Sequence, residues 1–322
     1  MTISDDLLFE VAFDYYVKKM LQKDIAKKLG VSRVQVSKYL KMAEERKIVR
    51  IEIVPPRISE QLEQQYRKLF QEKFGFDKLV LTTGHSNNQL LLQSLARRTW
   101  EFLSELPADE LNIGIGWGTT MFTVATYDFT LDRPNWRVVP LSGGTFRLSD
   151  KHFDSNFIAQ NFADRLRARM VPVYFPFLMD SVEQKQQIQS SEEFAYINSL
   201  WNKLDVIICS VGYSISRSPL FRQNVFDGSI LDRLERLGIV GDVLTHYFDI
   251  EGKVHDLEFV QRVNNITMEQ YMKAKKRIIV AGGFHKIESI VGLLRGKLAD
   301  VLITDTNTAR NVIEFVSERD WR

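Results

Sequence analysis

The sequence predicts an α/β chain in two parts: an N-terminal winged helix-turn-helix, then a Rossmann-like, mostly parallel sheet covered on both faces by helices. Three observations predict it. Two short helical stripes flank Gly30-Val31-Ser32, apolar runs alternate with helical patterns after Pro55-Pro56, and glycines recur where those runs end. At 322 residues the chain is long for one domain, and 44% hydrophobic residues suffice for a sizeable core. The expected division is 1–56 and 57–322.

Between Gln22 and Arg50, Ile25 and Leu29 lie one turn apart on a first helix, and Val36, Leu40 and Ala43 form a stripe on a second. Ala26 is small where the helices would touch, Gly30 suits a left-handed helix end, and Ser32 suits the second N-cap. Such a crossing places a helix in the DNA major groove. The stretch holds nine Lys and Arg against three acidic residues, net +6, while the whole chain is +2. Positive potential is therefore concentrated where phosphate contact needs it. The expected DNA-contact set is Ser32, Arg33, Gln35, Ser37, Lys38 and Lys41. Arg33 and Gln35 suit base edges, and Lys38 and Lys41 suit phosphates. Taken singly, each is equally well explained as a solvated side chain. Ile48–Val54 alternates around Arg50 and Glu52 and fits a short β wing.

Pro55-Pro56 marks the boundary. Ile58, Leu62, Tyr66, Leu69 and Phe70 then make one helical stripe up to Gly75. Leu79–Leu81, Ile113–Ile115, Val138–Leu141, Val171–Phe175, Val206–Val211, Ile278–Ala281 and Val301–Ile303 read as strands. Gln89–Leu106, Ser155–Arg169, His285–Arg295 and Thr306–Phe315 read as helices. Alternation of this kind implies a parallel sheet buried on both faces. No apolar run approaches membrane-spanning length and the N-terminus lacks signal-peptide features, so a cytoplasmic protein with no membrane partner is expected. The single cysteine, Cys209, lies in an apolar run and reads as a core residue; the five histidines show no metal-ligand spacing. Neither a metal nor a cofactor is expected.

Ligands of such sheets sit at the carboxyl ends of the strands. There, Ile113–Thr120 runs from a strand through Gly116 and Gly118 into Thr119 and Thr120 at a helix start. Backbone N–H groups, the helix dipole and two hydroxyls together suit phosphate; glycines needed only for the turn are the alternative. A second pair, Gly143-Gly144, follows Ser142, and a third, Gly282-Gly283, precedes Lys286. That lysine either neutralises a phosphate or is a surface residue. Asp242 can accept from sugar hydroxyls, and Asp249 reads as a turn former before Gly252.

GWGTT at 116–120, LSGG at 141–144, VGDVLTHYFDIEGK at 240–253, VAGGFHK at 280–286 and LITDTNTA at 302–309, together with the helix-turn-helix, resemble the SorC family of bacterial sugar-responsive transcription regulators over nearly the whole chain. The resemblance implies an effector domain related to sugar-phosphate isomerases and deaminases, a phosphorylated sugar or sugar alcohol as effector, and homotetramers or dimers on double-stranded operator DNA. It implies that Gly118, Thr119 and Thr120 hold the phosphate, Asp242 binds hydroxyls, Lys286 contacts the anionic end and Phe248 lines the pocket. Two departures stand out. Ser142 occupies a position where some members carry a basic residue, so neither a Schiff base nor a permanent charge is available there. The loop Cys209–Tyr213 is less glycine-rich than usual; Arg222 is the candidate replacement cation. The competing reading is an isomerase- or deaminase-like enzyme with an accessory DNA-binding domain. Against it, no convincing acid–base pair accompanies the candidate phosphate loop. A third reading, a large domain that serves only to oligomerise, leaves the glycine loops unexplained.

Overall fold

The computed structural model describes residues 3–51, 56–107, 109–144, 151–213 and 228–319. The chain divides into two compact units, Met1–Pro55 and Pro56–Arg322.

The first unit packs three helical segments around Leu8, Val11, Ile25, Val36, Leu40 and Ala43. Helix α1, Asp5–Ala12, is capped by Ser4 and runs into a wider π-helical turn, Phe13–Val17. Helices α2, Gln22–Leu29, and α3, Arg33–Glu45, follow. Gly30 ends α2 at φ 65°, and the Ser32 hydroxyl accepts from the Gln35 N–H at 3.1 Å. Below them the buried Asp14 carboxylate accepts from Lys18 at 2.8 Å and Lys28 at 2.7 Å, and these ammonium groups hold it below the usual carboxylate range. The expected wing is not seen over Ile48–Ile51. The Ile48 and Val49 N–H groups both bond to the Ala43 carbonyl, folding the chain back onto the end of α3. Residues 52–54 of that wing lie outside the described residues.

The second unit begins with α4, Glu60–Phe74, of whose expected stripe Phe70 is buried and Leu62 remains 37% exposed. Seven parallel strands follow: β1 (Leu79–Thr82), β2 (Asn112–Ile115), β3 (Arg137–Pro140), β4 (Arg169–Met170), β5 (Val206–Cys209), and, after a separate hairpin, β8 (Lys276–Val280) and β9 (Val301–Asp305). Their order across the sheet is β1-β9-β8-β5-β2-β3-β4. Side chains alternate between two apolar layers. Ile207, Ile279 and Leu302 face α9 (Glu192–Trp201), α12 (Ile287–Arg295) and α13 (Thr306–Arg319). Ile113, Ile208 and Ile303 face α5 (Asn88–Ser104), α6 (Thr119–Thr126) and α7 (Ser155–Leu166).

The expected strand Val171–Phe175 is a correction: pairing is confined to Arg169–Met170. Pro172 has no N–H to donate, and the Val173 N–H bonds the Asn156 side chain instead. Four further elements escaped the sequence reading: α8 (Val182–Gln189), α9, α10 (Gly228–Arg236) and α11 (Met268–Lys273). So did the antiparallel hairpin of β6 (Ile239–Val243) and β7 (His246–Asp249). Its turn residues, Leu244 at φ 51° and Thr245 at φ 65°, occupy a conformation side chains disfavour. The Asp242 carboxylate accepts the Thr245 N–H at 2.9 Å, and Asn265 donates to the Leu244 carbonyl and the Thr245 hydroxyl. Those bonds compensate the turn.

Candidate functional site

β2 leads outward to β3 and β4, whereas its neighbour β5 leads back to β8 and β9. The loops above β2 and β5 therefore diverge, opening a crevice at their carboxyl ends. Gly118, at φ 106°, delivers the chain from β2 into α6. Only glycine tolerates that conformation readily, and it brings no capping side chain. The Phe122 N–H is the first to bond within α6, to the Gly118 carbonyl, so the N–H groups of Thr119, Thr120 and Met121 end the helix without intrahelical acceptors. Trp117 anchors the loop by edge contacts to Phe153 and Phe177.

Lys286 enters from the turn after β8, where Gly283 repeats this conformation at φ 103°. It is not a surface lysine: its side chain is buried, and the ammonium donates to the Ser210 hydroxyl at 2.8 Å and the Thr120 hydroxyl at 3.3 Å. Burial lowers its pKa to about 8, against the pull of the Asp242 carboxylate. Burial raises Asp242 to about 6, opposed by the Thr245 N–H and by Lys286. That carboxylate lies against Gly212, where any Cβ would collide with it. The site thus holds a buried cation, two hydroxyls, a helix N-terminus and a carboxylate of raised proton affinity. It can hold a phosphate beside a hydroxylated carbon chain.

The structure brings Gly118, Thr119, Thr120, Asp242 and Lys286 together, and among the described residues gives the other expected ones partners of their own. Gly116 donates to Ile208 in the ladder, and a Cβ there would meet the Cys209 Cβ at 2.6 Å, so its glycine serves strand packing. The Gly143 N–H bonds the Asn264 carbonyl and the Gly144 N–H bonds the Phe175 carbonyl, so neither glycine N–H is left for a phosphate. Ser142 is buried, its hydroxyl directed at the Gly143 carbonyl. Phe248 is a further correction: it is fully buried beneath the site, against Gly292 of α12, and belongs to the core. Asp249 is a turn former, accepting the N–H groups of Glu251 and Lys253. Arg222 lies outside the described residues. Sequence reasoning missed Ser210, whose only signal was a hydroxyl just past a strand end. Burial raises the Cys209 thiol far above its usual range, as suits an inert core cysteine. Among the described residues no cluster of His, Cys, Asp or Glu is arranged to hold a metal, and no helix is long and apolar enough to cross a membrane.

On α3, Arg33, Ser37, Lys38 and Lys41 are exposed opposite the buried Val36, Leu40 and Ala43. Gln35 is half-buried at the shoulder of that face, and the Ser32 hydroxyl is engaged in the cap. Val34, 66% exposed among these polar groups, was not anticipated. An apolar side chain there suits contact with a thymine methyl.

Residues 58–314 match the family described as a putative sugar-binding domain. The deoxyribonucleoside regulator of Bacillus subtilis (strain 168) is 27% identical over 308 residues, covering 95% of this chain and 97% of its own. The sorbitol operon regulator of Klebsiella pneumoniae is 28% identical over 324 residues, 98% of this chain and 100% of its own. The crystal structure of the full-length sorbitol operon regulator SorC from Klebsiella pneumoniae superposes with a TM-score of 0.73 at 25% identity, over 97% of this chain and 100% of that one.

Proposed function

The chain belongs to the SorC-type regulators built on the putative sugar-binding domain, and on that premise we propose that it is a DNA-binding regulator of a carbohydrate-metabolism operon, controlled by a small phosphorylated sugar or sugar alcohol. Its relatives carry the names of regulators and not of enzymes. Residues 1–56 read DNA and residues 57–322 bind the effector and oligomerise, as a dimer or tetramer, in the cytoplasm. Exposed Arg33 and Val34 suit base contact, and Lys38 and Lys41 suit phosphates.

One observation carries the effector reading: a buried ammonium, Lys286, held by two hydroxyls at the crevice between β2 and β5, faces the uncapped start of α6. A buried cation without a contacting carboxylate calls for an anion. Asp242 is the acceptor for sugar hydroxyls. Ser142 supplies no amine, so no Schiff base forms at that position. Its binding shifts the balance between two arrangements of the DNA-reading units, to the extent that its affinity for them differs.

Titration calorimetry with a panel of sugar and sugar-alcohol phosphates and their dephosphorylated counterparts tests this reading. A phosphorylated compound recovered unchanged, binding about tenfold or more tighter than its dephosphorylated form, is the expected result. Turnover of the compound would establish the isomerase-like alternative, and equal binding of both forms would remove the phosphate site. On the DNA side, Arg33→Ala should relax base preference while Lys38→Ala weakens binding to every sequence; identical losses on specific and random duplexes would sink α3 as the base reader.

A further inference from the structure

We propose that the effector unit has a second binding cleft, for a small oxyanion, on the far side of the turn that carries Lys286. A cleft of about 390 Å³ opens at the carboxyl ends of β1, β8 and β9, between the starts of α5 and α13. His85, Asn88, His285, Asn307, Arg310 and Asn311 supply its polar walls, and Leu91 and Phe284 its apolar part. Lys286, Thr120 and Ser210 do not line it, so it is distinct from the site between β2 and β5.

Its chemistry is that of a donor-rich pocket. Arg310 is exposed, and among the described residues its guanidinium meets no carboxylate and makes no hydrogen bond. His85 is fixed by a 2.9 Å hydrogen bond between its Nε2 and the Ser94 hydroxyl. In the tautomer whose Nε2 accepts from Ser94, the ring proton sits on Nδ1. The one carboxylate in the walls, Asp305, is buried and already accepts from the Thr308 hydroxyl and from the Asn307 and Thr308 N–H groups. Its acceptor capacity is therefore used within the protein, and the cation that offsets it in the cleft wall is Arg310. An unpaired guanidinium, an imidazole and three carboxamides around one void suit a phosphate or carboxylate group, with a short carbon body against Leu91 and Phe284. Because Gly283 and His285 belong both to this wall and to the turn that positions Lys286, an occupant would touch the segment on which the first site depends.

The test uses the full chain in four forms: wild type, Lys286→Met, Arg310→Gln and the double variant. Inorganic phosphate and citrate are the probes, titrated calorimetrically at constant ionic strength. Lys286→Met should retain saturable binding of at least one probe. Arg310→Gln in that background should weaken it about tenfold or more, with an unchanged thermal midpoint because Arg310 is exposed. Preference for phosphate or citrate identifies which oxyanion the cleft takes. Complete loss of binding in Lys286→Met, or equal affinity with and without Arg310, would overturn the second cleft and leave the first site standing. Loss confined to Arg310→Gln, with Lys286→Met binding sugar phosphates like wild type, would instead overturn the first site and leave the cleft.

Discussion

Gly116–Thr120 after β2 and Ser142–Gly144 after β3 are glycine-rich loops at the carboxyl ends of adjacent strands, yet their glycines put the backbone donors to different uses. In the first, Gly118 turns the chain into α6 and leaves the opening N–H groups of that helix without intrahelical acceptors. In the second, both glycine N–H groups are consumed by neighbouring carbonyls, and a Cβ on Gly143 would stand 2.5 Å from the Pro176 carbonyl oxygen. Glycine permits close backbone approach in both. A glycine loop becomes an anion site only when the hydrogen bonds its shape makes possible are not already used by the protein.

The sharpest way to break this contrast is Lys286→Met. Affinity for a phosphorylated sugar should fall about tenfold or more, because a charge-assisted contact is worth roughly 1.5–3 kcal/mol. The thermal midpoint of the empty protein should not drop, since methionine fills similar volume and a desolvated cation is removed. Gly143→Ala should do the reverse. Its Cβ forces the Pro176 segment outward at about 1–3 kcal/mol of unfolding free energy, read by denaturant titration, with the affinity of the folded protein unchanged. Weakened binding without lost stability would show that the second loop also holds ligand. Gly118→Ala meets nothing within 4 Å but must hold φ at 106°, so it should cost about 1–2 kcal/mol, split between stability and phosphate affinity.

Protonation sharpens the contrast further. Lys286 must carry its proton to attract phosphate, and its pKa in the empty site is about 8, so affinity should decline as pH rises above that value. Binding near pH 8 should draw a proton from the buffer, and Lys286→Met should abolish both effects. Stability of the empty protein moves the other way. The folded chain releases this proton at about 8 while the unfolded chain keeps it to 10.5, so the Lys286 contribution to stability rises across that window. Calorimetry in buffers of different ionisation enthalpy reads the first effect, and thermal melts from pH 8 to pH 10 read the second. The smallest effect belongs to Ser142→Ala, within about 0.5 kcal/mol in stability and none in affinity, because the Ser142 hydroxyl makes one long bond to its own loop.

What was legible in the sequence was local. Ile25, Gly30, Ser32 and Leu40 state the two crossing helices within a few turns, and the layered strands follow from runs such as Val206–Val211, of which Val206–Cys209 pairs in the sheet. α1 was missed because its stripe, Leu8, Val11 and Ala12, shifts register at the π-helical turn after it. The β6–β7 hairpin was missed because Leu244 and Thr245 form a turn without glycine or asparagine, supported by Asp242 and Asn265. At the site, Thr120 and Lys286 were readable as types, but their partner Ser210 was not. That contact exists because β5 lies beside β2, an order fixed by packing of distant segments. Gly143 shows the converse: its motif was visible, and the carbonyl that occupies its N–H was not.

Thr120 and Lys286 stand 166 residues apart along the chain. A ribosome adding about 5–20 residues per second makes Lys286 roughly ten to thirty seconds after Thr120, and still longer after the compact unit Met1–Pro55 has emerged. The first unit is therefore complete before Lys286 exists. On the proposed function, a nascent chain can during that interval fold a DNA reader that no metabolite can govern.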